Sequence, residues 1–313
     1  MAFKYIVCVL VNNMVYFESM LKNMPKQSDK ILFVFVNEQR LLDRTDKIAD
    51  IANKYISNFS NRVIGSEKVN DFCLKNLKLS EQGQHFLNAY KMGMNILPQY
   101  YLFKKTNCKK ILFLDDDILI TSDLINIFEN INCCSFVRDG MTGFSVKKDK
   151  QGNKIYYSND VQSELINLWN NKISIPQDIL SKYVDNYFNS GTRIYVMNNS
   201  LLESYKNLLE KFFENKLLCF YFENWCKFNT DKTKGFFQDQ NFENSFVCEN
   251  DLYNFELGKY VRKISSLKQM PKNPKLLLNK SIVHYNIGSP EKNKVKNKKI
   301  EFLDILKQND LIK

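Results

Sequence analysis

With 313 residues, 44% of them hydrophobic and 25% charged, the chain can bury a full core as one large or two small domains, which excludes disordered and fibrous classes. A net charge of +11 without an Arg-rich block suits an anionic ligand such as a nucleotide diphosphate, or an anionic membrane surface. No helix-turn-helix, finger or stacking-platform signature points to nucleic acid. The eight cysteines (Cys8, Cys73, Cys108, Cys133, Cys134, Cys219, Cys226 and Cys248) form no Cys-x-x-Cys pair and no regular framework. Neither a zinc module nor a disulfide scaffold is expected, and reduced thiols in a cytoplasmic setting are.

In chain order, Lys4–Val11 reads as a first strand, too short for a span and without the small-residue cleavage site of a leader. Met14–Met24 has helical spacing, with Phe17, Met20, Leu21 and Met24 on one face. Lys30–Val36 is a second buried strand, Leu41–Tyr55 a charged amphipathic helix and Asn61–Ile64 a short strand. Ser80 is a candidate cap for a helix that carries His85, Leu87, Tyr90 and Leu97 toward Pro98. An apolar strand from Ile111 to Ile120 follows, and Ser122 is a candidate cap for Asp123–Glu129. Cys133–Val137 and Tyr187–Asn198 are further strands, while Val161–Asn170 and Leu201–Phe213 are helices. Cys219–Phe228, with five aromatics in ten residues, reads as core. The alternation predicts an α/β fold with a mostly parallel sheet flanked by helices.

The Ile111–Ile120 strand contains three consecutive acids, Asp115, Asp116 and Asp117. Alternation along a strand puts Asp115 and Asp117 on one face and Asp116 on the other. Two ionised carboxylates about 6–7 Å apart in a buried strand repel and lack solvation. A divalent cation relieves both problems, and oxygen ligation favours Mn²⁺ or Mg²⁺. The alternative is a strand ending at Leu114 and a solvated acidic turn. Two further stretches bear chemistry: a dense set of acids and amides at 238–244, and Ser281–Gly288, which ends an apolar strand on His284 before a glycine turn. His284 is the better ligand candidate of the two histidines; His85 sits in a helical stretch.

Four segments together resemble the family-8 retaining glycosyltransferases, the group that includes glycogenin and bacterial lipopolysaccharide galactosyl- and glucosyltransferases. They are Phe113–Ile120 (the Asp-x-Asp strand), Tyr187–Thr192 (the Phe-Asn-Ser-Gly segment), Asp239–Asn244, and His284-Tyr285 with Gly288. The resemblance implies a GT-A (Rossmann-like) fold and Mn²⁺- or Mg²⁺-dependent transfer of a hexose from a nucleotide sugar, UDP-linked by expectation, with retention of configuration. The acceptor would be a glycan, glycolipid or protein. Asp115, Asp117 and His284 would hold the metal; Gln240 would lie beneath the anomeric carbon, with Asp239 beside it on the donor sugar. Asn189, Ser190 and Gly191 would line the sugar pocket, and Asn12, Asn13, Tyr16, Lys91, Asp116 and Gly288 would contact the donor. Asp116, facing away from the pair, would reach the ribose, and Asp139 corresponds to an acceptor-facing acid. The chain departs from the family at Asn241, which replaces an acid, and at Gly288, one residue further from His284. No Pro-Trp follows Lys292.

Residues 1–290 are expected to form the catalytic domain and 291–313 a basic amphipathic segment. Five of the eight residues 292–299 are lysine, read either as a solvated tail or as a patch for anionic headgroups at the inner membrane face. The competing functional readings are a haloacid-dehalogenase-like Mg²⁺ phosphatase and a non-catalytic sugar-binding relative.

Overall fold

A computed structural model describes residues 3–37, 44–56, 60–89, 96–138, 145–157, 164, 176–216, 218, 238–287 and 298–313. The expectations for 41–43, for all of Val161–Asn170 but Glu164, and for Cys219–Phe228 lie outside them.

The chain opens with β1 (Tyr5–Val11), α1 (Met14–Asn23), β2 (Ile31–Asn37), α2 (Thr45–Ile56) and β3 (Asn61–Ile64). Then come α3 (Ser66–Asn76), α4 (Glu81–Ala89), α5 (Ile96–Lys105), β4 (Lys110–Asp115), β5 (Ile118–Ile120), α6 (Ile125–Asn130) and β6 (Ser135–Arg138). The second half adds the hairpin of β7 (Ser145–Lys148) and β8 (Lys154–Tyr157), then α7 (Gln177–Asp185), β9 (Phe188–Val196) and α8 (Asn199–Glu214). It closes with α9 (Gln238–Glu249), β10 (Val261–Lys263), β11 (Ile282–His284) and α10 (Lys298–Gln308).

Six strands make the main sheet in the order β3-β2-β1-β4-β9-β6, with β1 through β4 parallel and β9 antiparallel to both its neighbours. The apolar runs are continuous because both faces are covered. Along β1, Ile6, Cys8 and Leu10 enter one core, while Tyr5, Val7, Val9 and Val11 enter the other. Residues of α3, α4, α5, α8 and α9 close the first face, and residues of α1, α2 and α6 close the second. This is the mixed α/β architecture expected from the alternating pattern.

Three local readings change. Ile111–Ile120 is not one strand: β4 ends at Asp115, and β5 leaves the main sheet to join a three-stranded sheet ordered β10-β11-β5. Its partner β11 runs antiparallel, with His284 opposite Ile118. Pro98 does not stop a helix; it sits in the first turn of α5, where a missing N–H costs no intrahelical bond. The helix after β5 starts two residues late, and Asp123, not Ser122, accepts from the Ile125 N–H at 3.0 Å. Ser80 does cap α4, its Oγ accepting from the Gly83 N–H at 3.1 Å.

Helix α10 packs Phe302, Leu303 and Leu306 against Leu119 of β5, Val283 of β11, Tyr285 and Tyr16. Among the described residues no helix is long and apolar enough to cross a membrane.

Candidate metal and donor site

In an open α/β sheet, ligands bind beyond the carboxyl ends of the strands where the strand order reverses. Here the order reverses between β1 and β4, and the polar residues gather at that point. Strand β1 runs out into Asn12 and Asn13, and β4 into the three acids.

The break after Asp115 has a polar cause. The Asp116 carboxylate turns back and its Oδ2 accepts from the backbone N–H groups of Asn12 (2.6 Å) and Asn13 (2.5 Å). The Asp117 carbonyl accepts from the Tyr285 N–H at 3.0 Å. Backbone and side chain are thus committed elsewhere, and a continuous strand cannot form. The acids are not a solvated turn, because Asp116 and Asp117 are 3% and 5% exposed. Burial, with the neighbouring carboxylates, pushes the Asp116 carboxyl well above its usual range, while its two backbone donors pull it back.

Asp115, Asp117 and His284 each offer a ligand atom, all within 4.8 Å of one another. His284 is 1% exposed and reaches the acids because β11 pairs beside β5. Its Nε2 lies 3.2 Å from Asp117 Oδ1. Apart from this contact with each other, neither atom has a hydrogen-bond partner, which is unusual for buried polar atoms and fits a shared cation. The other ring nitrogen lies 3.4 Å from Thr192 Oγ1. An oxygen, oxygen, nitrogen donor set suits Mn²⁺ or Mg²⁺. Burial pushes the Asp117 carboxyl up, but His284 and the Lys299 ammonium beside it more than reverse this, and the acid is held well below the usual range.

Gly191 in β9 faces this cluster. A Cβ there would overlap Asp115 Oδ2 and come within 2.6 Å of His284 Cε1 and 2.9 Å of Asn189 Oδ1. The Asn189 side chain accepts from the Gly191 N–H at 2.9 Å, and Asn189 and Ser190 are buried beside it. Asn13 caps α1 by accepting from the Val15 N–H at 2.9 Å. Tyr16 is buried and meets the Tyr285 ring edge-on, centroids 6.1 Å apart. Gln240 is buried on α9. Asp115, Asp117, His284 and Gly191 therefore converge. Lys91, Asp139 and Gly288 lie outside the described residues, as does the side chain of Asp239. His85 is exposed on α4.

Much of the acid-and-amide segment serves the scaffold. Asn241 Oδ1 accepts from Tyr187 Oη at 2.7 Å, and its carbonyl accepts from Tyr183 Oη at 3.1 Å. Asn244 clamps β9, accepting from the Phe188 N–H at 2.9 Å and donating to the Phe188 carbonyl at 3.0 Å. Glu243 is fully buried, 3.3 Å from the Arg193 guanidinium, and accepts from Tyr195 Oη (2.5 Å), Tyr205 Oη (3.0 Å) and Gln99 Nε2 (3.4 Å). Arg193 also donates to the Ser190 carbonyl and stacks over Phe113 at 4.9 Å. Arg193 carried no signal in the sequence beyond being a charged residue in an apolar strand.

Lys299 was the other residue missed. It belongs to the basic stretch read as a tail or headgroup patch, yet its Nζ turns inward and donates to Asp117 Oδ2.

The fold is that of the GT-A glycosyltransferases. The structure of the bifunctional glycosyltransferase WbbM matches at a TM-score of 0.51 and 14% identity over 94% of this chain, which spans 46% of that one. Mouse xyloside xylosyltransferase 1 matches at 0.48 and 13% over 93% of this chain and 100% of that chain. The galactosyltransferase LgtC, solved with donor and acceptor sugar analogues, matches at 0.43 and 14% over 97% and 95%. No family model and no curated protein matches the sequence.

Proposed function

We propose that the protein is a metal-dependent glycosyltransferase that moves a hexose from a nucleotide sugar, UDP-linked, to a glycan, glycolipid or protein acceptor with retention of configuration. The observation that carries this reading is the cluster of Asp115, Asp117 and His284 beside Gly191 at the point where strand order reverses, in which Asp117 Oδ1 and His284 Nε2 face each other and have no other partner. The fold it shares with WbbM, itself a bifunctional glycosyltransferase, and the four motifs in order support it.

When bound by Asp115, Asp117 and His284, Mn²⁺ or Mg²⁺ supplies charge neutralisation for the departing diphosphate. The chain's own residues do the positioning. Asp116 fixes the Asn12–Asn13 turn that borders the donor, and Tyr16 stands in the first turn behind it. Gly191 lets the β9 backbone approach Asp115 and His284 closely, and Asn189 and Ser190 shape the sugar pocket. Gln240, an amide and not a base, suits a front-face route in which no enzyme base takes a proton on the far side. Asp239, Lys91, Asp139 and Gly288 complete the proposed donor and acceptor contacts.

Purified protein with Mn²⁺ and UDP-glucose, UDP-galactose or UDP-N-acetylglucosamine is expected to release UDP slowly even without acceptor. Asp117→Ala is expected to abolish that release while unfolding as cooperatively as wild type. An Asp117→Ala variant with full activity would remove the metal assignment. Turnover of a generic phosphomonoester, with no nucleotide sugar bound, would favour the phosphatase reading.

A further inference from the structure

We propose that Lys299, carried by the C-terminal helix α10, is a positioning residue of the acidic centre. Its ammonium clamps one oxygen of Asp117 so that the other faces the point shared with His284 Nε2 and Asp115. The inference rests on the metal reading above.

The observations are independent of any motif. Lys299 Nζ donates to Asp117 Oδ2, which leaves Oδ1 turned toward His284 Nε2 at 3.2 Å and with no other partner. A carboxylate on a single-bonded stem rotates freely unless one oxygen is held, and partners of metal ligands commonly hold it. The lysine sits in the first turn of α10, where the helix dipole disfavours a cation; a carboxylate partner offsets that cost. The helix is anchored where it can act on the site. Phe302 stacks on Tyr285, centroids 5.0 Å apart and planes 21° apart, and the Tyr285 N–H is bonded to the Asp117 carbonyl. Lys299 also lies over the Tyr16 ring at 5.4 Å, which fixes its approach from the α1 side.

Two effects of the ammonium oppose each other. As a positive charge it repels a metal ion; as a clamp it orients a ligand. The ammonium is in direct contact with the Asp117 carboxylate, whose negative charge offsets the first effect, so the clamp dominates.

The test is Mn²⁺ affinity, measured by calorimetry on the full chain for wild type, Lys299→Met and Lys299→Arg, with thermal unfolding as a check of folding. Lys299→Met is expected to bind Mn²⁺ roughly 10- to 100-fold more weakly. Lys299→Arg, which still donates to Oδ2, is expected to recover most of the loss. Lys299→Gln keeps a donor N–H without the charge and is expected to fall between them; it carries the test should the methionine variant not fold. Affinity in the Met or Gln variant equal to or tighter than wild type overturns the inference and leaves the metal reading standing. Absence of Mn²⁺ binding in wild type and every variant overturns both.

Discussion

Glycine at position 191 is required by three neighbours at once: an acid oxygen, an imidazole carbon and an amide oxygen all lie where a methyl group would go. A methyl group at 191 cannot be absorbed by a flexible side-chain end, because Asp115 and His284 are themselves held in strands or at strand ends. Gly191→Ala is therefore expected to fold, since its φ demands nothing special, but to lose Mn²⁺ binding and UDP release together, activity falling by roughly 100-fold or more. Titration of the variant with Mn²⁺ checks this, and unchanged affinity would contradict the close approach. At this scale the sequence was partly legible. The acids and His284 were readable because ionisable residues within apolar strands need a physical reason. The partner of Asp116 was not: it proved to be two backbone N–H groups 103 and 104 residues away, which carry no side-chain signature. Lys299 was misread for a related reason. A lysine among lysines looks solvated until its helix is docked.

The elements divide into those that carry the site and those that brace it. Helix α9 braces through Glu243 and, three residues earlier, carries Gln240, proposed to lie beneath the anomeric carbon. Glu243 and Arg193 form a buried ion pair that ties α9 to β9 beneath Ser190 and Gly191, and burial pushes the Tyr195 and Tyr205 hydroxyls bonded to Glu243 well up, so both stay protonated donors. Removing one partner of such a pair leaves the other charge buried and alone. Arg193→Met is expected to cost roughly 3–5 kcal/mol of stability in urea unfolding. Replacing both residues by methionine is expected to cost less than the sum of the single changes. An Arg193→Met variant within about 1 kcal/mol of wild type would show that the pair is not load-sharing in this way. Element type was readable from short continuous apolar runs for β1 and β2 and from helical periodicity for α1 and α8, patterns that answer to local chain geometry. The split of Ile111–Ile120 into β4 and β5 was not readable, because it depends on β11, more than 160 residues later.

Among the described residues, the Asp115, Asp117 and His284 cluster sits on the carboxyl edge of a doubly covered sheet, and α10 closes back on that point. A charge of +11 on such a body attracts anionic ligands. The α/β class followed from alternating elements, since both faces of a parallel sheet must be covered. The closure by α10 did not, because its amphipathic spacing shows that a face is buried and not where. The central claim is that a nucleotide diphosphate binds through a divalent cation at Asp115, Asp117 and His284. Calorimetric titration with UDP in Mn²⁺ and again in excess chelator tests it most directly. Saturable binding that needs Mn²⁺ and disappears in Asp117→Ala is the predicted result; UDP binding of equal strength in chelator, or none in Mn²⁺, would contradict it.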